Sequence, residues 1–346
     1  MNLFKLAAVP AVLAAMIPAA LAQSNGVTIS GRVDVGVRRV PNSTTSVTDK
    51  GSNYQVAEGS TSRLQFSGRE EISPDLTAFF AIEHRFNADT GALDDPNVFW
   101  RDKSWVGLAS KQYGEVKIGR LHGPGYGLGT AGRYEAFFGD SLANNGTREG
   151  LQCNRCDDSI YYTSPTIQGA NAGVIVQDGL ATRKRGTGGH VAYAGGPVSV
   201  AFTFFNLQDP SVTTTANGVK TWTLGGWYDI GTTRLVGTYA KGTGLNLADT
   251  GEQVVYTFGA RVPVGPGEVR ASYRKIDEDQ RKGTNDHSTD ADSTRLTTGY
   301  YYPLSKRTSL NASYVARENA VRYNVNGSVK TDRTSTAYEL SLRHLF

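Results

Sequence analysis

Cys153-Asn154-Arg155-Cys156 is a C-x-x-C, and it holds both cysteines of the chain. Two thiols at that spacing can close a local disulfide, exchange electrons, or supply half of a zinc site. Structural zinc takes four ligands, and the five histidines are scattered at positions 84, 122, 190, 287 and 344. Gly127-Leu128-Gly129-Thr130-Ala131-Gly132 has G-x-G-x-x-G spacing but stands in no βαβ pattern, so no helix is placed to receive a phosphate. His84, flanked by Glu83 and Arg85, is the one candidate for acid–base chemistry. Neighbours on a strand point to opposite faces, so Glu83 and His84 cannot share a site. The acidic run Asp277-Glu278-Asp279, with Asp286, Asp290 and Asp292, could attract divalent cations, but a solvated loop is the simpler reading. No catalytic set assembles from these motifs, and neither a cofactor nor a metal is expected.

The elements that must carry these residues are strands. Residues 1–22 read as an export signal: Lys5, an apolar run from Leu6 to Ile17, and Ala20-Leu21-Ala22 as a cleavage site before Gln23. Pro10 and Pro18 argue against a buried helix there. The remainder, residues 23–346, shows no break in composition and reads as one domain. It contains no run near the ~20 apolar residues of a spanning helix. Gly is frequent (40 residues), as is Tyr (17), and mean hydropathy is negative. Val27, Ile29, Val33, Val35 and Val37 alternate with Thr28, Ser30, Arg32 and Asp34, and the same period recurs along the chain. A polar average with strict alternation is what a barrel with lipid outside and water inside requires. Counting the alternating segments predicts an all-β fold, a transmembrane antiparallel barrel of about sixteen strands.

Tight connections such as Gly195-Gly196-Pro197 alternate with long polar ones such as residues 207–218, 277–293 and 318–333. The short turns are expected on the periplasmic side and the long loops outside. Closure gives every backbone group a partner in hydrocarbon, and a barrel this wide encloses an aqueous channel. The formal charge of +4, or +3 without Lys5, is too small to point to nucleic acid, and no basic helix is present.

The longest interval without alternation runs from Gly119 to Asp158. A loop of that length in an all-β protein tends to be functional. The expectation is that residues 122–156 fold into the lumen and narrow it. Export places Cys153 and Cys156 in an oxidising compartment, which favours a local disulfide, with a redox switch and free thiols as the alternatives.

The order and spacing of several segments resemble the Gram-negative general porins, in the branch that is trimeric and prefers anions. They are Gly31-Arg32-Val33-Asp34-Val35-Gly36, Ser62 to Glu70, Trp105-Val106-Gly107-Leu108 and Gly114 to Arg120. Arg155 to Ser159, Tyr162-Thr163-Ser164-Pro165 and Leu342-Arg343-His344-Leu345-Phe346 complete the set. The resemblance implies a pore constriction in which Arg63, Arg120 and Arg155 on the wall face Glu135 and Asp140 on the inserted loop. It also implies a homotrimer amid outer-membrane lipid and lipopolysaccharide, passing small hydrophilic solutes and anions. Phe346 would then be the residue read by the outer-membrane assembly machinery. Rings of arginine favour anions because the guanidinium stays charged at any working pH. On residue types alone Arg32, Arg85 and Lys103 read as ordinary solvated lumen charges.

Overall fold

The computed structural model describes residues 26–41, 52–126, 133–138, 142–144, 154–179, 184–208, 218–244, 251–279, 293–319 and 333–346. Every named element is a strand. The first six are β1 (Gly26–Pro41), β2 (Ser52–Glu58), β3 (Ser62–Glu71), β4 (Leu76–Phe86), β5 (Lys103–Ser110) and β6 (Gly114–Leu121). Then follow β7 (Cys156–Thr163), β8 (Ala170–Gly179), β9 (Lys184–Gly195), β10 (Val198–Gln208), β11 (Val219–Ile230) and β12 (Thr233–Thr243). The chain finishes with β13 (Glu252–Val264), β14 (Gly267–Asp279), β15 (Ser293–Pro303), β16 (Thr308–Asn319) and β17 (Arg333–Leu345).

All pairings are antiparallel, and from β3 onward each strand pairs with its successor until β17 returns to β1. β2 and β3 pair with successive stretches of β1, Val35–Pro41 and Gly26–Arg32 respectively. They are two halves of one stave, so seventeen segments close a ring of sixteen, as the alternation predicts. β1 runs on to Pro41, and β2 lies inside the polar stretch of residues 38–60. β14 likewise extends to Asp279, so Asp277-Glu278-Asp279 ends a strand rather than opening a loop, and Gln253 donates to Glu278 at 2.7 Å. Asp286, Asp290 and Asp292 lie outside the described residues.

The two faces of the sheet invert the usual pattern. On β10 and β11, Ser199, Thr203, Thr221 and Thr223 are buried while Val200, Phe202, Phe204, Trp222 and Leu224 are exposed. Apolar side chains outward and small polar ones inward suit a wall between lipid and water. Tight turns at one end hold the register. Gly265, between β13 and β14, takes a φ of 60° that a Cβ would disfavour.

Asp34 ties the closing seam together. It faces inward on β1, fully buried, directly opposite Arg343 of β17, whose Nε donates to its carboxylate at 2.8 Å. The break between β2 and β3 folds onto the same residue. Ser60 donates to its carboxylate, Gly59 N–H to its carbonyl at 3.0 Å, and its own N–H donates to Ser62 Oγ at 3.2 Å. Arg32 holds the break from below, donating to Thr61 O at 3.1 and 2.8 Å. Past β17, Phe346 continues the ladder to Gly31 in both directions, at 2.9 and 3.2 Å, with its ring lying where a Gly31 Cβ would stand.

Candidate functional site

Antiparallel register, rather than sequence proximity, assembles the charged site. Arg32, Arg63 and Arg85 stand directly opposite one another across β1, β3 and β4 on the inward face, and Lys103 on β5 stands opposite Glu83. Guanidiniums side by side require counter-charge, and two buried carboxylates supply it to Arg63 and Arg85. Glu83 lies 3.2 Å from Arg85, 3.2 Å from Lys103 and 4.0 Å from Arg63. Asp102, in the connection before β5, pairs with Arg85, accepts from Arg155 at 3.1 Å, and lies 4.0 Å from Lys103.

His122 Nε2 meets the other Asp102 oxygen at 3.0 Å, and Tyr126 packs beside both His122 and Arg155. Burial by itself would raise the Asp102 pKa. The hydrogen bond and charge of His122, with the charges of Arg85 and Arg155, outweigh it and hold the carboxyl well below the usual range. Four basic side chains, Arg63, Arg85, Lys103 and Arg155, therefore share two carboxylates. The surplus is positive. Arg63 is the most open of the set, its side chain 36% exposed against 9% for Arg85 and 11% for Arg155.

Arg120 has a different attachment. It stands opposite Ser104 on β5, in the row that Ile118 and Val106 continue on the outward face. At Gly119 the φ is 133°, and the pairing of β6 with β7 shifts register between Gly119 and Leu121. This bulge re-aims the strand end. The Arg120 guanidinium then pairs with Asp157 and donates to Arg101 O at 3.1 Å. Arg63 and Arg155 are thus joined through Arg85 and the two carboxylates, whereas Arg120 is anchored to Asp157.

Farther along the loop between β6 and β7, the described residues from Tyr134 to Phe137 make their contacts on the far side of the ring. Tyr134 is buried, with its hydroxyl 3.0 Å from Ser199 on β10 and its ring 5.3 Å from Trp227 on β11. Ala136 and Phe137 pack with Val236 of β12, beside Gly259 and Gly299 of β13 and β15. Arg295 of β15 donates to Leu142 O. Glu135 is buried and accepts from the N–H of Phe137 at 2.8 Å, and its carbonyl accepts from Phe138 N–H at 3.2 Å. Asp140 and Cys153 lie outside the described residues; Cys156 is buried and carries no free thiol.

His84 points outward, stacked on Phe99 with centroids 4.2 Å apart and Nδ1 2.7 Å from Phe99 O. Sequence reasoning missed Glu83, Arg85, Asp102 and Lys103 as members of one network. Counting through the turn after β3 would have placed Arg85 opposite Arg63, but nothing local marks Asp102.

Residues 7–321 match the Gram-negative porin family. Outer membrane porin protein 32 of Delftia acidovorans is 30% identical over 369 residues, covering 97% of this chain and 98% of that protein. Among solved structures, the anion-selective porin from Comamonas acidovorans superposes with a TM-score of 0.76 at 24% identity, covering 93% of this chain and all (100%) of that one. The trimer form of OmpT from Vibrio cholerae gives 0.68 at 13% identity, covering 93% and 100%. The closed barrel and the match along most of its length identify the chain as a member of the Gram-negative porin family, an outer-membrane channel for passive diffusion of small hydrophilic solutes rather than an enzyme.

Proposed function

We propose that the channel prefers anions, and that the preference arises at a neck where the β1–β6 wall faces the loop of residues 122–156. The observation that carries this reading is the wall network, in which four basic side chains share two carboxylates. Charges at a narrow neck with low-dielectric walls act on every permeating ion and are screened less than loop charges outside. Arg63, Arg120 and Arg155 are the basic side of this neck, with Glu135 and Asp140 on the loop as its acidic side. The contacts of Tyr134, Ala136 and Phe137 with β10–β15 support a loop that crosses the interior. The similar barrel from Comamonas acidovorans is anion-selective, in agreement with the sign proposed.

Cys156, with Cys153 the one other cysteine of the chain, closes a disulfide that stiffens the backbone presenting Arg155. The barrels associate as homotrimers, as the trimeric relative does, within lipid and lipopolysaccharide, and Phe346 serves as the assembly signal. In a planar bilayer bathed by a KCl gradient, the current is expected to reverse at a potential of the chloride sign. A reversal potential of the potassium sign would end this reading.

A further inference from the structure

The wall beneath the loop tip carries a second basic row. Arg234, Arg261 and Arg270 stand opposite one another across β12, β13 and β14, facing inward at the short-turn end. Each lies over an aromatic ring. Arg234 is 4.3 Å from the Trp227 centroid, Arg261 is 4.0 Å from that of Phe138, and Arg270 is 4.8 Å from that of Tyr301. Arg133 of the loop adds a second guanidinium to Trp227 at 5.0 Å.

Two carboxylates serve this row. Arg234 forks onto Asp229 at 2.7 and 2.8 Å, Arg261 forks onto Glu268 at 2.9 and 3.0 Å, and Arg270 reaches Glu268 at 2.6 Å. Among the described residues three guanidiniums therefore meet two carboxylates, and Arg133 brings a fourth guanidinium to the same row through Trp227. Phe138 adds an independent sign of a built site. It is a non-glycine residue held at a φ of 59°, a strained backbone for a side chain of that size, and the residue stays 40% exposed. Neighbouring Phe137 is buried and satisfies the packing of the loop against the wall. The strain instead presents an open aromatic edge beside Arg261 and Arg270.

We propose that this row is a binding subsite for planar aromatic carboxylates, distinct from the Glu83–Asp102 network. The carboxylate would meet the surplus guanidinium charge, and the flat ring would stack in the alternating series of guanidinium and aromatic faces. The proposal rests on the reading that the lumen admits small anions, but not on the sign of its KCl selectivity.

The test compares benzoate with cyclohexanecarboxylate, ions of equal charge and similar size, as blockers of single-channel KCl current. Benzoate is expected to block with an apparent Kd about fivefold lower than its saturated counterpart, the margin that aromatic stacking supplies. Phe138→Leu should remove most of that margin, and Phe138→Tyr should retain it. Equal block by the two ions, or an undiminished margin in Phe138→Leu, would overturn the subsite. A wild-type reversal potential of the potassium sign with the benzoate margin intact would overturn the anion preference and leave the subsite standing.

Discussion

Replacing Asp102 by Asn is expected to destabilise the folded channel and, in channels that still form, to strengthen the anion preference. The carboxylate is 1% exposed and receives Arg85, Arg155 and His122. An amide keeps the shape but leaves the two guanidiniums without their shared counter-charge. Breaking a buried pair in this way costs about 3–5 kcal/mol. The loss should appear as a lower midpoint of thermal unfolding than that of the wild-type channel. Because the folded carboxyl is held well below the usual range, its contribution is complete above the unfolded pKa, about 3.9, and fades only as pH falls below it. The titration of Asp102 itself should therefore add no difference to the deficit between pH 5 and pH 7. Wild-type stability in Asp102→Asn would mean that the network is held by backbone alone.

The second large effect is expected at the seam. Asp34→Ala removes the partner of Arg343 and the acceptor of Ser60 at the point where β17 closes on β1. A cost of about 3–5 kcal/mol is again expected from the buried charge left behind. The double variant Asp34→Ala, Arg343→Ala should cost less than the sum of the two single changes, by about 0.5–3 kcal/mol of coupling. Additive losses would show that the two residues act separately.

Much of the barrel is legible in the sequence because lipid on one side and water on the other force a period of two on nearly every stave. β2 escaped because Tyr54 and Val56 are its only outward apolar residues, set in a long polar stretch. The end of β14 escaped because Asp277 and Asp279 carry charge at positions where apolar side chains would have marked the strand. The site is less legible for a different reason. Arg63 and Arg155 stood out through family resemblance, but their partners are fixed by register across strands. Glu83 meets Lys103 because β4 and β5 pair as they do. Asp102 joins them from a connection that has no periodicity to read. The row Arg234, Arg261 and Arg270 is likewise invisible until the strands are aligned.

The central claim is that selectivity resides in the wall network rather than in the summed charge of the protein. The most direct measurement is the reversal potential in a KCl gradient for Arg63→Gln beside Lys306→Gln. Arg63 is the open member of the network, 4.0 Å from Glu83, and Lys306 is an exposed residue in the turn before β16. A unit charge about 6 Å from the ion path, in a water-like dielectric and partly screened, changes the anion-to-cation permeability ratio by roughly threefold. The account predicts a shift of that size toward cations for Arg63→Gln and a much smaller one for Lys306→Gln. Equal shifts in the two variants, or none in Arg63→Gln, would contradict it.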